Sequence, residues 1–210
     1  MRDKRPAARQ ILSLTALLAG FSAVVAYAND PETPPGPAFS CASVDDTRIE
    51  HMICTDATLA ALDRKLGSVY AQARVLSNTG SALKVEQRGW IKGRNECWKD
   101  EDETACIASA YRLRIAELQA RYHLVAATGP IRFTCGGDTG NRTMVVTFFT
   151  DTDPPTLLAR RGQDISLMFL QPSASGAKYA GRNESFWEHH GEARVTWGYG
   201  APEISCRKLP

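Results

Sequence analysis

The sequence predicts an α+β chain of two domains, a helical bundle followed by a small antiparallel β-barrel or sandwich. The first observation is a change of hydrophobic pattern. Apolar residues recur at three- and four-residue spacing up to about residue 127, and in short alternating runs from residue 129. The second observation is that four of the six cysteines precede this change and two follow it. Domains this small bury little apolar surface, so we expect disulfides to contribute to the stability of both.

Residues 1–28 have the three zones of a secretory signal peptide. Basic side chains come first, an apolar run from Ile11 to Val25 follows, and Ala26-Tyr27-Ala28 supplies the small residues of a cleavage site. The run is short for a membrane span, and Phe21 stands where a lipoprotein signal would require a cysteine. We therefore expect cleavage after Ala28 and a periplasmic or secreted product.

The charge balance argues against one class of partner. The chain carries 25 basic and 23 acidic side chains, and the predicted leader holds four of the basic ones and one acid. The mature chain would then have a formal net charge of −1. A near-neutral chain without a basic stripe lacks the electrostatic footprint of a nucleic-acid-binding protein.

The cysteines predict three disulfides, because an exported chain meets an oxidising compartment. The six residues are Cys41, Cys54, Cys97, Cys106, Cys135 and Cys206. Zinc is the competing explanation, but no two of them form a Cys-x-x-Cys pair and no histidine spacing completes a site. We expect neither a metal nor a cofactor.

Residues 29–40 hold four prolines, which disfavour a helix and predict an extended linker. Three helices are then predicted within residues 41–127. The first begins at a cap near Thr55 or Asp56, the second runs from about Ser81 to near Cys97, and the third follows an acidic run at residues 100–103. Their short connections predict an antiparallel bundle.

The bundle constrains its own cross-links. Antiparallel helices place Cys54, Cys97 and Cys106 at one end, which Cys41 can also reach. Both disulfides of this half should therefore form among these four residues. Three pairings are open, and we prefer one that includes Cys54 with Cys97.

One segment of the helical half is distinctive: Gln87-Arg88-x-Trp90-x-x-x-Arg94-x-x-Cys97. Together with the other cysteines and Tyr111-x-x-Arg114, it resembles the N-terminal domain of the LprI-type family over nearly all of residues 41–122. The resemblance implies a cell-envelope setting and, for some members, lysozyme inhibition. Asp63 and Arg94 could meet across the first two helices, and we interpret this seam as structural.

The pattern of the second half, residues 129–210, predicts consecutive short strands with Gly, Asp or Pro turns between them. Seven strands are predicted, at residues 131–135, 143–149, 156–160, 165–170, 185–188, 193–197 and 204–207. Cys135 in the first strand and Cys206 in the last would pair if the sheet closes.

Residues 173–179, Ser-Ala-Ser-Gly-Ala-Lys-Tyr, lie between two predicted strands and contain little that suits a core. They predict a loop held by rigid flanks, and such loops are where binding groups concentrate. Composition alone favours an ordinary hairpin turn, since Ser and Gly are common turn residues.

The same segment is preceded by Phe133-Thr134-Cys135 and followed by Phe186-Trp187, Gly191-Glu192-Ala193 and Cys206. In this order, over residues 131–208, the motifs resemble the MliC/PliC inhibitors of c-type lysozyme. The resemblance implies a small antiparallel β-barrel whose serine-containing loop enters the lysozyme active-site cleft. It therefore implies a protein partner, c-type lysozyme, for this chain.

The resemblance also implies a set of lysozyme-binding residues: Ser173, Ser175, Gly176, Lys178, Tyr179 and His189. Ser175 is the first choice for the hydroxyl that meets the cleft carboxylates, and Ser173 is the second. Gly176 would let the backbone approach closely, and Tyr179 would support the loop with its hydroxyl in water. His189 stands where the family has a lysine. Because it is shorter and only partly charged at neutral pH, it should bind carboxylates more weakly.

Two other functions fit parts of the sequence. An enzyme could use His189, His190 and Glu192, but adjacent side chains of a strand face opposite ways, so both histidines cannot easily bind one ion. A cell-envelope binding module with a different protein or peptidoglycan partner could instead use the helical half. We favour a proteinaceous inhibitor with no catalytic residues.

Overall fold

The computed structural model describes residues 36–44, 48–77, 80–136 and 142–210. The predicted signal peptide and most of the predicted linker lie outside these residues. Within them the chain forms four α-helices and then an eight-stranded antiparallel barrel. In the described part, no helix is both long enough and apolar enough to cross a bilayer.

The helices are α1 (Arg48–Thr55), α2 (Ala57–Leu76), α3 (Gly80–Asn95) and α4 (Glu103–Arg121), with 3₁₀ turns at Cys41–Ser43 and Glu96–Lys99. Two begin at aspartate caps. Asp56 accepts hydrogen bonds from the N–H groups of Thr58 and Leu59, and Asp102 accepts one from Ala105. Each carboxylate satisfies backbone donors that lack an intrahelical partner.

Helix α1 is the element that the periodicity of the sequence did not predict. It has only eight residues, too few for a clear hydrophobic repeat, and it ends one residue before the Asp56 cap of α2. Its buried residues Ile49 and Ile53 join the core of the helical region. Larger side chains of that core include Leu59, Leu83, Ile107, Tyr111 and Leu118.

The disulfides of the helical region are Cys41–Cys54 and Cys97–Cys106. The preferred pairing of Cys54 with Cys97 is therefore wrong. Cys54 lies near the end of α1, where the 3₁₀ turn that carries Cys41 reaches it. Cys97 lies in the 3₁₀ turn that leads into α4 and meets Cys106 in the first turn of that helix. Each bond therefore joins two elements that follow one another in the chain.

Asp63 and Arg94 do lie in one seam, but Tyr111 stands between them. Arg94 Nη1 donates to the Tyr111 hydroxyl at 2.8 Å, and that hydroxyl donates to Asp63 Oδ1 at 2.8 Å. The ion-pair partner of Arg94 is Glu50 of α1, at 2.6 Å. The predicted direct contact is thus replaced by a network, in which a 5% exposed guanidinium has its charge balanced by Glu50.

The barrel comprises β1 (Thr128–Cys135), β2 (Thr143–Phe149), β3 (Thr156–Arg161), β4 (Asp164–Gln171), β5 (Ala177–Ala180), β6 (Glu184–His189), β7 (Glu192–Trp197) and β8 (Ile204–Lys208). Each strand pairs with its sequence neighbours, and β8 closes the barrel against β1. Of the two predicted architectures, the structure confirms the barrel and not the sandwich. Strand β5 was not predicted, because its four residues were assigned to the loop.

Alternate residues of the strands fill the barrel. Phe133, Met144, Met168, Phe186 and Val195 are fully buried, and Phe133 meets Phe186 edge to face. Cys135 and Cys206 lie opposite each other in the β1–β8 pairing and form the third disulfide. The bond therefore joins the first and last strands of the closed sheet.

The helical region packs on the outside of the barrel. Helix α4 contacts β3, Arg112 Nε lies 3.8 Å from Asp153 Oδ2, and the His123 ring meets Phe149 at 5.2 Å between centroids. The turns between β4 and β5 and between β6 and β7 are at the same end of the barrel, because the strands alternate in direction.

Candidate functional site

The candidate site is built on the turn between β4 and β5, residues 172–176, which we call the Ser175 loop. Its first serine is used inside the turn. The Ser173 hydroxyl donates towards two carbonyl oxygens of the loop, that of Ser175 at 3.2 Å and that of Gly176 at 2.9 Å. Ser173 therefore fixes the shape of the turn and has little donor capacity left for a partner.

Ser175 has a different environment. Its side chain is exposed, and within the described part of the chain its hydroxyl makes no hydrogen bond to another residue. Its carbonyl oxygen, in contrast, is held by the indole N–H of Trp187 at 2.9 Å. The backbone of Ser175 is thus fixed while its hydroxyl remains available.

Gly176 lies very close to the end of strand β6. It has a φ of +66°, and a Cβ at this position would overlap the carbonyl oxygen of Glu188 and lie 3.1 Å from His189 Cδ2. The sequence predicted that Gly176 lets the backbone approach a partner. The structure adds a second role, which is to let the loop pack against β6. Only glycine lets the loop pass over the end of β6.

Lys178 and Tyr179 point in opposite directions from β5, as neighbours on a strand do. Lys178 is exposed, pairs with Trp187 across the β5–β6 ladder, and places its Nζ 5.8 Å from the centre of the Trp187 ring. Tyr179 is 4% exposed and meets Phe148 edge to face. Burial raises the pKa of Tyr179, and the Glu188 carboxylate adds to the rise. Tyr179 supports the site from inside the barrel.

His189 ends β6 and is exposed, and His190 follows in the turn with a φ of 53°. This turn places the two rings in edge contact, 4.1 Å between centroids, instead of on opposite faces. The Glu188 carboxylate accepts the N–H of Gly191 at 2.7 Å and closes the turn. Among the described residues, no group of three or more His, Cys, Asp or Glu side chains is placed to hold a metal ion.

Ser175 and His189 come together at a groove of about 750 Å³ on the outer face of the barrel. Trp187, Arg194 and Arg207 also line it. Arg194 and Arg207 are exposed and lie 3.4 and 3.2 Å from carboxylate oxygens of Glu203 and Glu192, respectively. Such exposed pairs bind weakly, so both guanidinium groups can exchange partners.

Sequence reasoning placed Trp187 in a motif without a role. The indole reaches the Ser175 loop because Trp187 pairs with Lys178 across the β5–β6 ladder. This register follows from the four-residue strand β5, which the sequence did not predict. The one available signal was the tryptophan itself, since an indole N–H near a surface usually finds an acceptor.

A second, larger cavity of about 1130 Å³ lies between the helical region and the outer face of β4. Trp90, Arg94 and Arg114, all from the distinctive helical segments, line one side. Ile165, 65% exposed, and Trp197 line the other. The lining is mixed, because charged side chains that include Glu117, Asp164 and Glu184 stand beside the aromatic and aliphatic ones. Clefts between domains are a common place for binding sites.

Comparison with known families gives two matches in chain order. Residues 40–118 match a family model described as lysozyme inhibitor LprI. Residues 133–204 match one described as membrane-bound lysozyme-inhibitor of c-type lysozyme, MliC. The two matches fall on the helical region and on the barrel.

Relatives are similar along nearly the whole chain. Proteins named Lipoprotein LprI from Mycobacterium bovis and from Mycobacterium tuberculosis are each 29% identical over 194 residues. The matched region covers 92% of this chain and 95% of each relative. The similarity therefore runs through both the helical region and the barrel of this chain.

Proposed function

We propose, from an LprI-type helical region followed by an MliC-type barrel, that this chain is an exported inhibitor of c-type lysozyme. Two successive matches to lysozyme-inhibitor families support an inhibitor. The observation that carries the finer proposal is the Ser175 loop, a turn with an anchored backbone and an exposed, unengaged hydroxyl. The inhibitor acts by occlusion and carries out no turnover.

The chemistry of the target fits this hydroxyl. A c-type lysozyme uses two carboxyl groups, one kept protonated by its pocket and one ionised. A hydroxyl donates one hydrogen bond and accepts others, so Ser175 can donate to the ionised carboxylate and accept from the protonated acid. The serine side chain is also small enough to enter a cleft shaped for a sugar.

Positive charge beside the loop complements the same carboxylates. Lys178 is exposed next to Trp187, and His189 lines the groove with Ser175. The imidazole of His189 can donate a hydrogen bond to a carboxylate. Lys178 would supply an ammonium group that donates to a carboxylate.

The proposal is tested by lysis of bacterial cell walls with c-type lysozyme and increasing amounts of residues 29–210. Saturable inhibition is expected, and a fragment of residues 126–210, which keeps β1 whole, should inhibit as well. Inhibition by the long chain alone would place part of the binding surface in the helical region. No inhibition of c-type lysozyme by either would contradict the proposal.

A second function, a cell-envelope binding module, is favoured by the cavity between the helical region and the barrel. Its lining includes Trp90, Arg94 and Arg114, so the distinctive helical residues face a space that the loop does not use. Peptidoglycan fragments carry both sugar and carboxylate groups. The ring of Trp90 could pack against a sugar, and Arg182, which is exposed at the cavity, could pair with a carboxylate.

This second function predicts that the mature chain sediments with purified peptidoglycan. The variant Ile165→Asp would place a carboxylate at the cavity and should reduce the bound fraction, while lysozyme inhibition stays unchanged. Equal sedimentation of the variant and the unaltered chain would exclude this cavity as the binding site.

A further inference from the structure

The indole of Trp187 contacts two parts of the candidate site, the carbonyl oxygen of Ser175 and the ammonium group of Lys178. Its N–H holds the carbonyl oxygen of Ser175 at 2.9 Å, and its ring lies beneath the Lys178 ammonium at 5.8 Å from the centroid. Ser175 precedes β5, Lys178 belongs to β5, and Trp187 belongs to β6. One side chain therefore contacts both the residue with the exposed hydroxyl and an exposed cation.

We infer that Trp187 is a positioning residue for the inhibitory loop. The inference rests on the proposed function and assigns a further residue to the same site. The hydrogen bond fixes the Ser175 backbone, so the loop does not have to be ordered when it enters a cleft. Ordering a loop on binding lowers affinity, and rigidity in the bound shape avoids that loss.

The turn has two further restraints, and one of them acts on the same Ser175 carbonyl oxygen. Ser173 donates to the Ser175 and Gly176 carbonyl oxygens from inside the loop, and Gly176 passes close to the Glu188 carbonyl. Neither of them is a hydrogen bond from a side chain of β6. Trp187 is the residue that ties the loop to the same face that presents Lys178 and Arg194.

The substitution Trp187→Phe removes the indole N–H and keeps an aromatic ring. Trp98→Phe is a matched control, because Trp98 is 55% exposed and carries Lys99 5.2 Å from its ring centre, but it lies in the helical region. Both variants are made in the mature chain. Backbone order parameters, melting temperature and inhibition of lysozyme are measured for each.

We expect Trp187→Phe to lower the order parameters of residues 174–176 towards the flexible range, with those of β6 and β7 unchanged. Inhibition should weaken about fivefold, as expected for one lost neutral hydrogen bond. Trp98→Phe should change neither quantity. The double variant with Ser175→Ala should lose less than the sum of the two single losses, because Trp187 acts through Ser175.

Unchanged order parameters in residues 174–176 would overturn the inference. So would a general loss of order with a large fall in melting temperature, since Trp187 would then be a structural residue of the whole barrel. Order parameters are measured without lysozyme. If the unaltered chain has a rigid loop but does not inhibit lysozyme, the proposed function is wrong. The role of Trp187 in ordering the loop would still stand.

Discussion

At the scale of single residues, two serines of one loop differ in their hydrogen bonds. The resemblance assigns lysozyme contact to both, but the Ser173 hydroxyl is hydrogen-bonded to the carbonyls of its own turn. Ser175 has an exposed hydroxyl and an anchored carbonyl. The geometry therefore supports Ser175 as the contact residue and Ser173 as a restraint within the loop.

The first prediction concerns Ser175→Ala. Loss of hydrogen bonds to a charged group should weaken inhibition about tenfold or more, with the melting temperature unchanged. Ser205→Ala is the control, because Ser205 is exposed in the same groove but belongs to β8, and it should stay within about twofold. Equal losses in the two variants would show that the groove matters and the loop hydroxyl does not.

A second residue-scale prediction follows from Tyr111. Burial raises the pKa of its hydroxyl above the ordinary 10.0, against the opposing effect of Arg94 and with a further rise from Asp63. Between pH 10 and that raised pKa, the folded state keeps a proton that the unfolded state has lost. The free energy of unfolding should therefore fall with rising pH in this window.

Tyr111→Phe checks this in urea unfolding at pH 8, 10 and 11. The variant should be about 2 kcal/mol less stable at pH 8, because two hydrogen bonds to charged groups are lost. Above pH 10 the difference should narrow by up to about 1.4 kcal/mol per pH unit. Tyr199→Phe, at a side chain 93% exposed, should show no such narrowing. A constant Tyr111 difference would argue against the raised pKa.

At the scale of elements, the β5–β6 hairpin decides how the site is presented. Its four ladder pairs align Lys178 with Trp187 and bring Gly176 against the end of β6. A shift of one residue would turn Lys178 inward and Tyr179 outward. Gly176 is therefore a structural requirement of the hairpin as well as a part of the loop.

We predict that Gly176→Ala destabilises the protein by about 3 kcal/mol, from a left-handed alanine and from overlap with the Glu188 carbonyl. Gly200→Ala isolates the first contribution. Gly200 has a φ of +65° with open space around it, so this change should cost about 1 kcal/mol. Denaturant unfolding measures both, and equal values would mean that the Glu188 carbonyl moves away without cost.

The hairpin also marks the limit of what the sequence predicts. Seven strands and the starts of two helices follow from alternation, turn residues and aspartate caps, because those signals are local. Strand β5 does not, since Ala177 and Lys178 gain their partners only from β6 and β4. The same holds for α1, on which both the Cys41–Cys54 bond and the Arg94–Glu50 pair depend.

The candidate residues were found by resemblance, and their contacts were not. Ser173, Ser175 and Trp187 can be recognised in a motif, but which serine is engaged depends on the path of the turn. That path follows from the register of β5 and β6. Hydrogen-bond roles of this kind are tertiary properties, so composition and spacing do not determine them.

At the scale of the molecule, the three disulfides close loops of different length. Cys135–Cys206 spans 71 residues and joins the ends of the barrel, whereas Cys97–Cys106 spans 9. In the chain-entropy description, the longer loop contributes more, because its closure restricts the unfolded chain more strongly.

The fourth prediction compares the two bonds by paired Cys→Ser replacement. Removing Cys135–Cys206 should lower the free energy of unfolding by about 4 kcal/mol, and removing Cys97–Cys106 by about 2.5 kcal/mol. Urea unfolding of each double variant tests the order. A larger effect from the short loop would indicate that strain or local packing outweighs the restriction of the unfolded chain.

The closed barrel also restricts how partners can bind. Every strand pairs with two neighbours, and β8 pairs with both β7 and β1. In the part of the chain that the structure describes, the sheet therefore offers no edge along which another polypeptide could add a strand by β-augmentation. A protein with this topology meets other molecules through turn tips and outward side chains. It is also protected from sheet-to-sheet aggregation between copies.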